Sequence, residues 1–470
     1  MSLPPLYSVL PGFAPFLRAF RSVFSGPQRR HFVAYLDALS RLDAPATAVA
    51  IARSQAFYRH PCNVRRFVTT APWYLDDAER VGHRTLRRHF RTYPLQGHLL
   101  GGKQTVFLIL DDTQVPKAGL ELEGTDFHYS ATKKQFQRGY QPFLAVYRVG
   151  RYTFSWRITP YLREKTVSQV NQLRRWKARE HPGTRLHERS FYSKIDLALE
   201  VVRDFTPLQR DRTVCVLFDS WYCSQEVVRA CEKKQWLWCS RLKSNRKLNL
   251  LSPRLDTASA ETSERLAVSE LQTRAEERNA EVPQRASSRE GKWTSCTVKG
   301  SEYRYVSYRA RVGNLGEAVV VLCQRRSQAG GWSAAAMLVS NAVHWTGEEV
   351  LIAYLERSSI EIFIRDIKQE TGLGASQVAD LSGAEAHWWL ATLAAGWLTV
   401  ARHLADIGQW VDVNGEPVAT LGNSVRWTKE WLHGQEKAQL VGWVYRAAES
   451  GRSRAELVAE VTRPHAISVR

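Results

Sequence analysis

Two short apolar runs that each end in aspartate constrain the fold of this 470-residue chain more than any other feature. TVFLILDD at 105–112 and TVCVLFDS at 213–220 are rich in β-branched residues. Such runs are typical of strands buried on both faces, in a sheet covered by helices. Between them, FLAVYRVGRYTFSWRIT predicts a hairpin around Val149–Gly150, and helices are predicted over about 163–180 and 189–204. This order predicts an α/β fold with a mixed sheet.

Changes in composition along the chain predict five regions. Up to residue 110, fifteen Arg and Lys stand against five Asp and Glu, in segments with helical periodicity. This start is either a DNA-contacting domain or a helical cap with a solvated arginine face. After a polar stretch at 251–292, KWTSCTV, YRYVSYRA, EAVVVLCQR and SAAAMLVSN predict short strands. The predicted regions are a helical basic region at 1–100, the first part of an α/β core at 101–250, a β-rich insertion at 251–345, a helix of the same core at 346–372 and a helical C-terminal region at 373–470.

Charge and cysteine usage restrict the class of protein. The net charge of +20 and the isoelectric point near 9.8 favour a partner with many phosphates, although a ribosome-associated or merely basic protein shares this property. Seven cysteines without a C-x-x-C pair argue against a disulfide framework or a zinc site, which favours a reducing cytoplasm. The N-terminus lacks the pattern of a signal peptide. The longest apolar stretch, Trp388–Ala401, is too short to span a bilayer and predicts a buried helix.

A row of functional side chains occurs in YLERSSIEIFIRDIKQE, at offsets of 3, 4 and 7 residues. On one α-helix these side chains would lie within an arc of roughly 60° along about 21 Å. A carboxylate between cations suits a metal ion held beside a phosphate backbone. The alternative is a solvated helix face with i,i+4 ion pairs, since Arg357 and Arg365 flank Glu361. The row consists of Tyr354, Arg357, Glu361 and Lys368.

The aspartates that close the two apolar runs supply further carboxylates. Asp112 ends the first run with Asp111 beside it, and Asp219 ends the second. Phosphodiester chemistry with two divalent metals needs carboxylates that converge from separate elements. Taken alone, each aspartate is better explained by turn chemistry or a helix N-cap than by catalysis. Together with Glu361, they predict a metal-dependent nuclease type of site.

With these residues in place, the chain resembles bacterial insertion-sequence transposases of the DDE type. Its downstream stretch GLGASQVADLSGAEAHWWLATLAAGWL is similar to that family's helices, and FVAYLDAL, AIARS and RRFVTTAPWY weakly resemble the start of one subgroup. In this family the first aspartate is typically followed by Thr, as Asp112 is by Thr113, and the second matches Asp219. The signature Y-x2-R-x3-E-x6-K of one branch is fitted by Tyr354, Arg357, Glu361 and Lys368.

The resemblance implies a ribonuclease H-like mixed sheet flanked by helices, with a β-rich insertion and helical terminal regions. Asp112, Asp219 and Glu361 would hold two Mg²⁺ or Mn²⁺ ions for cleaving transposon ends and joining the 3′-hydroxyls to target DNA. The implied partners are double-stranded DNA, as terminal inverted repeats and target, and a second copy of the chain on DNA. The implied location is the cytoplasm, at the nucleoid. A nuclease without strand transfer and a catalytically silent DNA-binding regulator remain alternatives.

Other residues are expected to contact DNA. Cut-and-paste members of this branch often stack a tryptophan of the insertion on a flipped base; Trp332 is the first candidate here, ahead of Trp293 and Trp345, although a core role explains each as well. Two basic clusters near the predicted catalytic rim could neutralise phosphates or simply be solvated: Lys133, Lys134 and Arg138, and then Arg241, Lys243, Arg246 and Lys247. The residues expected to contact DNA are thus Tyr354, Arg357, Lys368, Arg365, Lys243 and Trp332.

Overall fold

The structure of the protein is a computed structural model. Most of the chain up to the end of the long apolar helix is described. The described residues are 13–41, 45–53, 60–119, 121–130, 133–180, 187–243, 246–251, 264–267, 270, 293–407 and isolated positions between 425 and 456.

One mixed sheet of 14 strands passes through the described part of the chain, in the order β10-β9-β12-β13-β14-β8-β7-β2-β5-β3. Strands β2, β7 and β8 run parallel, and β5 is antiparallel to β2 and β6. The strands are β1 His98–Leu100, β2 Lys103–Asp112, β3 Val115–Pro116, β4 Asp126–Ser130, β5 Gln135–Val149, β6 Tyr152–Tyr161, β7 Thr213–Phe218, β8 Leu237–Arg241, β9 Lys247–Leu250, β10 Glu264–Ala267, β11 Thr294–Val298, β12 Ser301–Arg311, β13 Glu317–Arg325 and β14 Ala336–Ser340.

Helices cover the sheet, and the longest of them lies buried against it. Trp388 and Leu398 of this helix are fully buried, and it packs on β6 and on three N-terminal helices. Phe32 stacks on Trp389 with ring centroids 6.3 Å apart, which ties the N-terminal helices to the core. The helices are α1 Phe13–Ala19, α2 Gly26–Arg41, α3 Ala48–Arg53, α4 Pro61–Thr69, α5 Leu75–Thr92, α6 Glu164–Glu180, α7 Lys194–Asp204, α8 Gln225–Lys233, α9 Gly347–Leu355, α10 Ser358–Gln369 and α11 Leu381–Asp406.

The predicted α/β class is confirmed, with a large mixed sheet flanked by helices that is consistent with a ribonuclease H-like transposase fold. The hairpin turns at Gly150, whose φ of 51° is the left-handed conformation that glycine tolerates. The four strands predicted after the polar stretch are β11 to β14. They extend the central sheet, because β14 pairs with β8 over Leu338–Ser340. Most of the polar stretch, and the predicted C-terminal region after residue 407, lie outside the described residues apart from isolated positions.

The prediction of one continuous helix for the four-residue row is wrong. Tyr354 belongs to α9, whereas Glu361 and Lys368 belong to α10, and Arg357 lies at the junction. The backbone there closes tighter i→i−3 hydrogen bonds, from Arg357 N–H to the Tyr354 carbonyl and from Ile360 N–H to the Arg357 carbonyl. The φ and ψ angles of Glu356 and Arg357 remain in the right-handed helical region, so the chain turns in the same sense through the junction. The four side chains are therefore shifted from their positions on one ideal helix, but they are not scattered around it.

Candidate active site at the ends of β2 and β7

The parallel strands β2 and β7 both lead to aspartates at the same edge of the sheet. The parallel pairing ends at Ile109 with Leu217, and the same register continued by two residues would set Asp111 level with Asp219, which lies one residue beyond β7. In a parallel pair, residues at the same level point to the same face of the sheet. Both strands are almost fully buried before this point and their carboxylates emerge at the rim. Asp111 and Asp112 therefore leave β2 on opposite faces, and the continued register would place Asp219 level with Asp111.

Arg357 joins Asp111 to Glu361. Its Nη1 lies 2.9 Å from Asp111 Oδ2 and its Nη2 lies 2.7 Å from Glu361 Oε1. The guanidinium and the Asp111 side chain are each 19% exposed, whereas the Glu361 side chain is 57% exposed. A largely buried cation thus connects a strand-end carboxylate with a solvent-facing one. The helix junction places Arg357 to reach both.

Asp112 has a separate set of partners. Its carboxylate is 19% exposed and accepts hydrogen bonds from an amide, an ammonium and a phenol. These donors come from β5, from the start of α7 and from the turn after β7. The donors are Gln141 Nε2 at 2.7 Å, Lys194 Nζ at 2.7 Å and the Tyr222 hydroxyl at 2.9 Å.

Electrostatics show how closely the acids crowd together. Burial raises the pKa of Asp111 to about 6, and the neighbouring carboxylates of Asp112 and Asp219 add to this rise while Arg357 opposes it. Asp219 Oδ1 accepts the backbone N–H of Trp221 at 2.8 Å, which fixes the turn after β7. A cation at this rim is favourable, since it relieves repulsion between like charges.

The residues present fit divalent metal ions by donor chemistry. Mg²⁺ and Mn²⁺ prefer carboxylate oxygens, and four carboxylates belong to this rim, with Arg357 and Lys194 supplying positive charge there. Within the described residues, no three His, Cys, Asp or Glu side chains are already arranged as a ligand cluster.

The rest of the four-residue row lies beside the acids and is engaged with the protein. Lys368 Nζ donates to the Thr113 hydroxyl at 2.8 Å and to the Gln114 carbonyl at 2.7 Å, immediately after the β2 aspartates. Burial lowers the pKa of Lys368. Tyr354 is half-buried against the core, and burial raises the pKa of its phenol. Arg365 is 61% exposed and pairs with Asp366 at 3.1 Å.

The tryptophans expected to stack on DNA differ in setting. Trp332 is half-buried, and the guanidinium carbons of Arg304 and Arg326 lie 4.7 and 5.6 Å from its ring centroid. Trp293 lies 4.4 Å from the same Arg304 group. Trp345 is only 4% exposed and belongs to the hydrophobic core, which agrees with the core alternative. The roles of Trp332 and Trp293 in DNA binding stay predictions.

Two residues of this region were not predicted from the sequence. Glu356, at the helix junction, is 1% exposed and pairs with Lys299 at 2.8 Å and Arg148 at 3.1 Å. The sequence did not indicate the burial of Glu356, because a glutamate next to an arginine on a helix is ordinarily interpreted as a solvent-exposed pair. Trp221, two residues after Asp219, is 61% exposed. The sequence feature that could have identified Trp221 is an aromatic residue in a turn directly after an acidic residue at a strand end.

In a comparison with known proteins, part of the chain matches a family model. Residues 193–397 match the family model of the transposase DDE domain. The match covers less than half of the chain; it includes Asp219 and Glu361 and begins after the β2 aspartates. It supports a DDE transposase family and a transposase function for the protein. A comparison with curated proteins finds no match.

Two further findings bear on the sequence predictions. All seven cysteines are free thiols, and Cys215, Cys223, Cys231 and Cys239 are buried. Over the described part of the chain, no helix is long and apolar enough to cross a membrane. The helix predicted over Trp388–Ala401 is the buried α11.

Proposed function

We propose that the protein is an insertion-sequence DNA transposase of the Y-R-E-K branch, which cleaves the ends of its own element and joins the 3′-hydroxyls to target DNA. One observation carries the proposal: Arg357 binds both Asp111, at the end of β2, and Glu361, and Asp219 follows directly after β7, the strand parallel to β2. This relationship brings carboxylates from three elements to one rim. The net charge of +20 suits a DNA partner.

The proposed metal ligands are Asp219, Glu361 and one aspartate of β2. The contacts favour Asp111, because it shares the Arg357 guanidinium with Glu361. Asp112 is the rival that the sequence predicted. When bound there, two Mg²⁺ or Mn²⁺ ions would activate a water or 3′-hydroxyl and stabilise the leaving oxygen.

The cationic residues of the rim would bind the phosphate beside the cut. Arg357 is suited to bidentate contacts, and transferring its guanidinium from carboxylates to a phosphate keeps it paired. Lys368 holds the segment after Asp112 through Thr113 and Gln114, so it also positions the strand end. Arg365 and Lys243 lie exposed and would contact phosphates that flank the cut. Tyr354 would support Arg357.

The test uses end-labelled duplexes that carry the DNA flanking the coding region, with Mg²⁺. Wild type is expected to cleave them and to join pre-cut ends to a second duplex. Glu361→Gln should bind the ends as wild type does but lose cleavage by at least about a thousandfold, the order of a lost essential catalytic group. Glu370→Gln, at the C-terminal end of the same helix, is the matched control.

Other outcomes separate the alternatives. Cleavage without joining of pre-cut ends supports a metal-dependent nuclease of the same fold. Binding with neither reaction, in wild type, supports a DNA-binding regulator. Wild-type cleavage by Glu361→Gln removes Glu361 from the active site.

The proposal includes assembly of two copies on DNA, since two ends must be cut and joined together. Light scattering of the protein with an end duplex should give the mass of two chains and two duplexes. A mass of one chain with one duplex contradicts this part of the proposal only.

A further inference from the structure

An exposed tryptophan stands at the catalytic rim beside two lysines. Trp221 lies in the turn between β7 and α8, and its side chain is 61% exposed. Its backbone N–H donates to Asp219 Oδ1 at 2.8 Å, so the carboxylate fixes the turn that carries the indole. The next residue, Tyr222, is 1% exposed and binds Asp112. The turn that carries the indole is therefore fixed to two carboxylates of the site, while the indole itself faces solvent.

The lysines come from different elements. Lys194 Nζ, from the first residue of α7, lies 5.9 Å from the Trp221 ring centroid, and Lys243 Nζ, after β8, lies 5.4 Å from it. Cation–π contact explains the attraction, but it does not bury the indole. A ligand that combines an aromatic face with phosphates would use all three groups. A nucleotide has this combination.

We propose that Trp221, Lys194 and Lys243 form a nucleotide clamp that stacks one unpaired base next to the phosphate being cut. Inside a duplex both faces of a base are covered, so the clamp takes a base that has left the stack. Lys243 binds a flanking phosphate, while Lys194 connects the clamp to Asp112. The clamp rests on the proposed function and is distinct from the stacking residue expected at Trp332, on the far side of β14.

The clamp makes binding depend on the base itself, which abasic DNA isolates. The probe is a fluorescein-labelled dT oligonucleotide of about 12 nucleotides, compared by anisotropy with one of the same length whose central nucleotides are abasic. Wild type should bind the dT probe about tenfold tighter, the size of one base–aromatic stack. Trp221→Ala should lose this difference, and Trp221→Phe should keep part of it. Trp176→Ala, which removes a 53%-exposed indole from α6, should behave as wild type.

The lysine variant separates charge from stacking. Lys243→Gln should weaken both probes equally and lower the salt dependence of binding by about one phosphate contact. Excess dTMP should not displace the dT probe if the occupant is a DNA strand; displacement at equal phosphate concentration assigns the clamp to free nucleotides and overturns the proposal. An unchanged base-to-abasic ratio in Trp221→Ala overturns it as well.

Failure of the clamp and failure of the proposed function are distinguishable. If wild type cleaves and joins ends but shows no base-to-abasic difference, only the clamp is wrong. If wild type shows the difference and Trp221→Ala lacks it, the clamp stands even where no cleavage occurs. In that case the chain binds unpaired DNA without being a transposase.

Discussion

Arg357 binds Asp111 and Glu361 with one guanidinium group, at 2.9 Å and 2.7 Å. The arginine thus occupies oxygens that a divalent ion would need, so it is both a neutralising partner in the DNA-free protein and a candidate phosphate ligand with DNA. Its pKa is raised, because the carboxylates outweigh the effect of burial. This geometry predicts that a divalent metal ion replaces the Arg357 guanidinium at these two carboxylates.

Replacing Arg357 by Gln should have opposite effects on metal binding and on cleavage. Without the guanidinium, Asp111 and Glu361 repel each other, so Mn²⁺ should bind the DNA-free protein about tenfold tighter, or roughly 1.4 kcal/mol. Cleavage should fall, since the phosphate contact is lost. Calorimetric Mn²⁺ titration measures the first effect, with Arg365→Gln as control because Arg365 pairs with Asp366. Equal Mn²⁺ affinity in wild type and Arg357→Gln would show that the arginine does not compete with metal.

The two β2 aspartates should differ in their contribution to activity. Asp111→Asn removes the carboxylate that shares Arg357 with Glu361 and is expected to reduce cleavage to background. Asp112→Asn keeps an oxygen for Gln141, Lys194 and Tyr222 and should retain a measurable rate. Rates of Mg²⁺-dependent nicking for both variants decide between them. The reverse order of activities would establish Asp112 as the ligand that the sequence predicted.

Glu356 should be important for stability despite its place beside the active site. Its removal leaves Arg148, whose side chain is 16% exposed, without its carboxylate, so Glu356→Gln should cost about 3 kcal/mol of unfolding free energy. Glu302→Gln is the matched control: that side chain is 43% exposed, pairs with Arg326 and should cost less than about 0.5 kcal/mol. Urea denaturation compares the two variants. Equal losses of unfolding free energy in the two variants would show that burial of Glu356 at the helix junction adds nothing to the strength of its ion pairs.

Glu79 should make stability fall as the pH rises. Burial raises its pKa to about 8, although Arg157 at 3.7 Å opposes the rise. Because the unfolded pKa is near 4.5, the folded state binds the extra proton between these two values. The contribution of Glu79 is therefore a loss of up to about 1.4 kcal/mol per pH unit from about pH 5 to 8.

Glu79→Gln should remove that slope, as measured by urea denaturation at pH 6 and pH 8. Arg157 keeps Glu200 and Asp204 as partners at 3.2 and 3.3 Å in the variant, so it is not left unpaired. The same slope in the variant as in wild type would assign it to other groups.

Local sequence patterns predicted the strands and helices of the site better than the contacts between them. Unbroken apolar runs produced β2 and β7 as expected, because a strand buried on both faces cannot hold polar residues. The 3, 4 and 7 offsets correctly kept Arg357, Glu361 and Lys368 on one side. They could not show the tightened junction, which accompanies contacts that Glu356 and Arg357 make with distant strands.

Sequence alone determined that this chain has strands ending in acids, a helix with a carboxylate among cations, and enough positive charge for DNA. These features follow from periodicity and residue chemistry within a few turns of chain. Only the tertiary structure showed that Asp111, and not Asp112, binds the arginine that also binds Glu361, because neighbouring side chains of a strand point to opposite faces. It also placed Trp221 between two lysines separated by 49 positions in the chain (Lys194 to Lys243), a relationship that no local pattern contains.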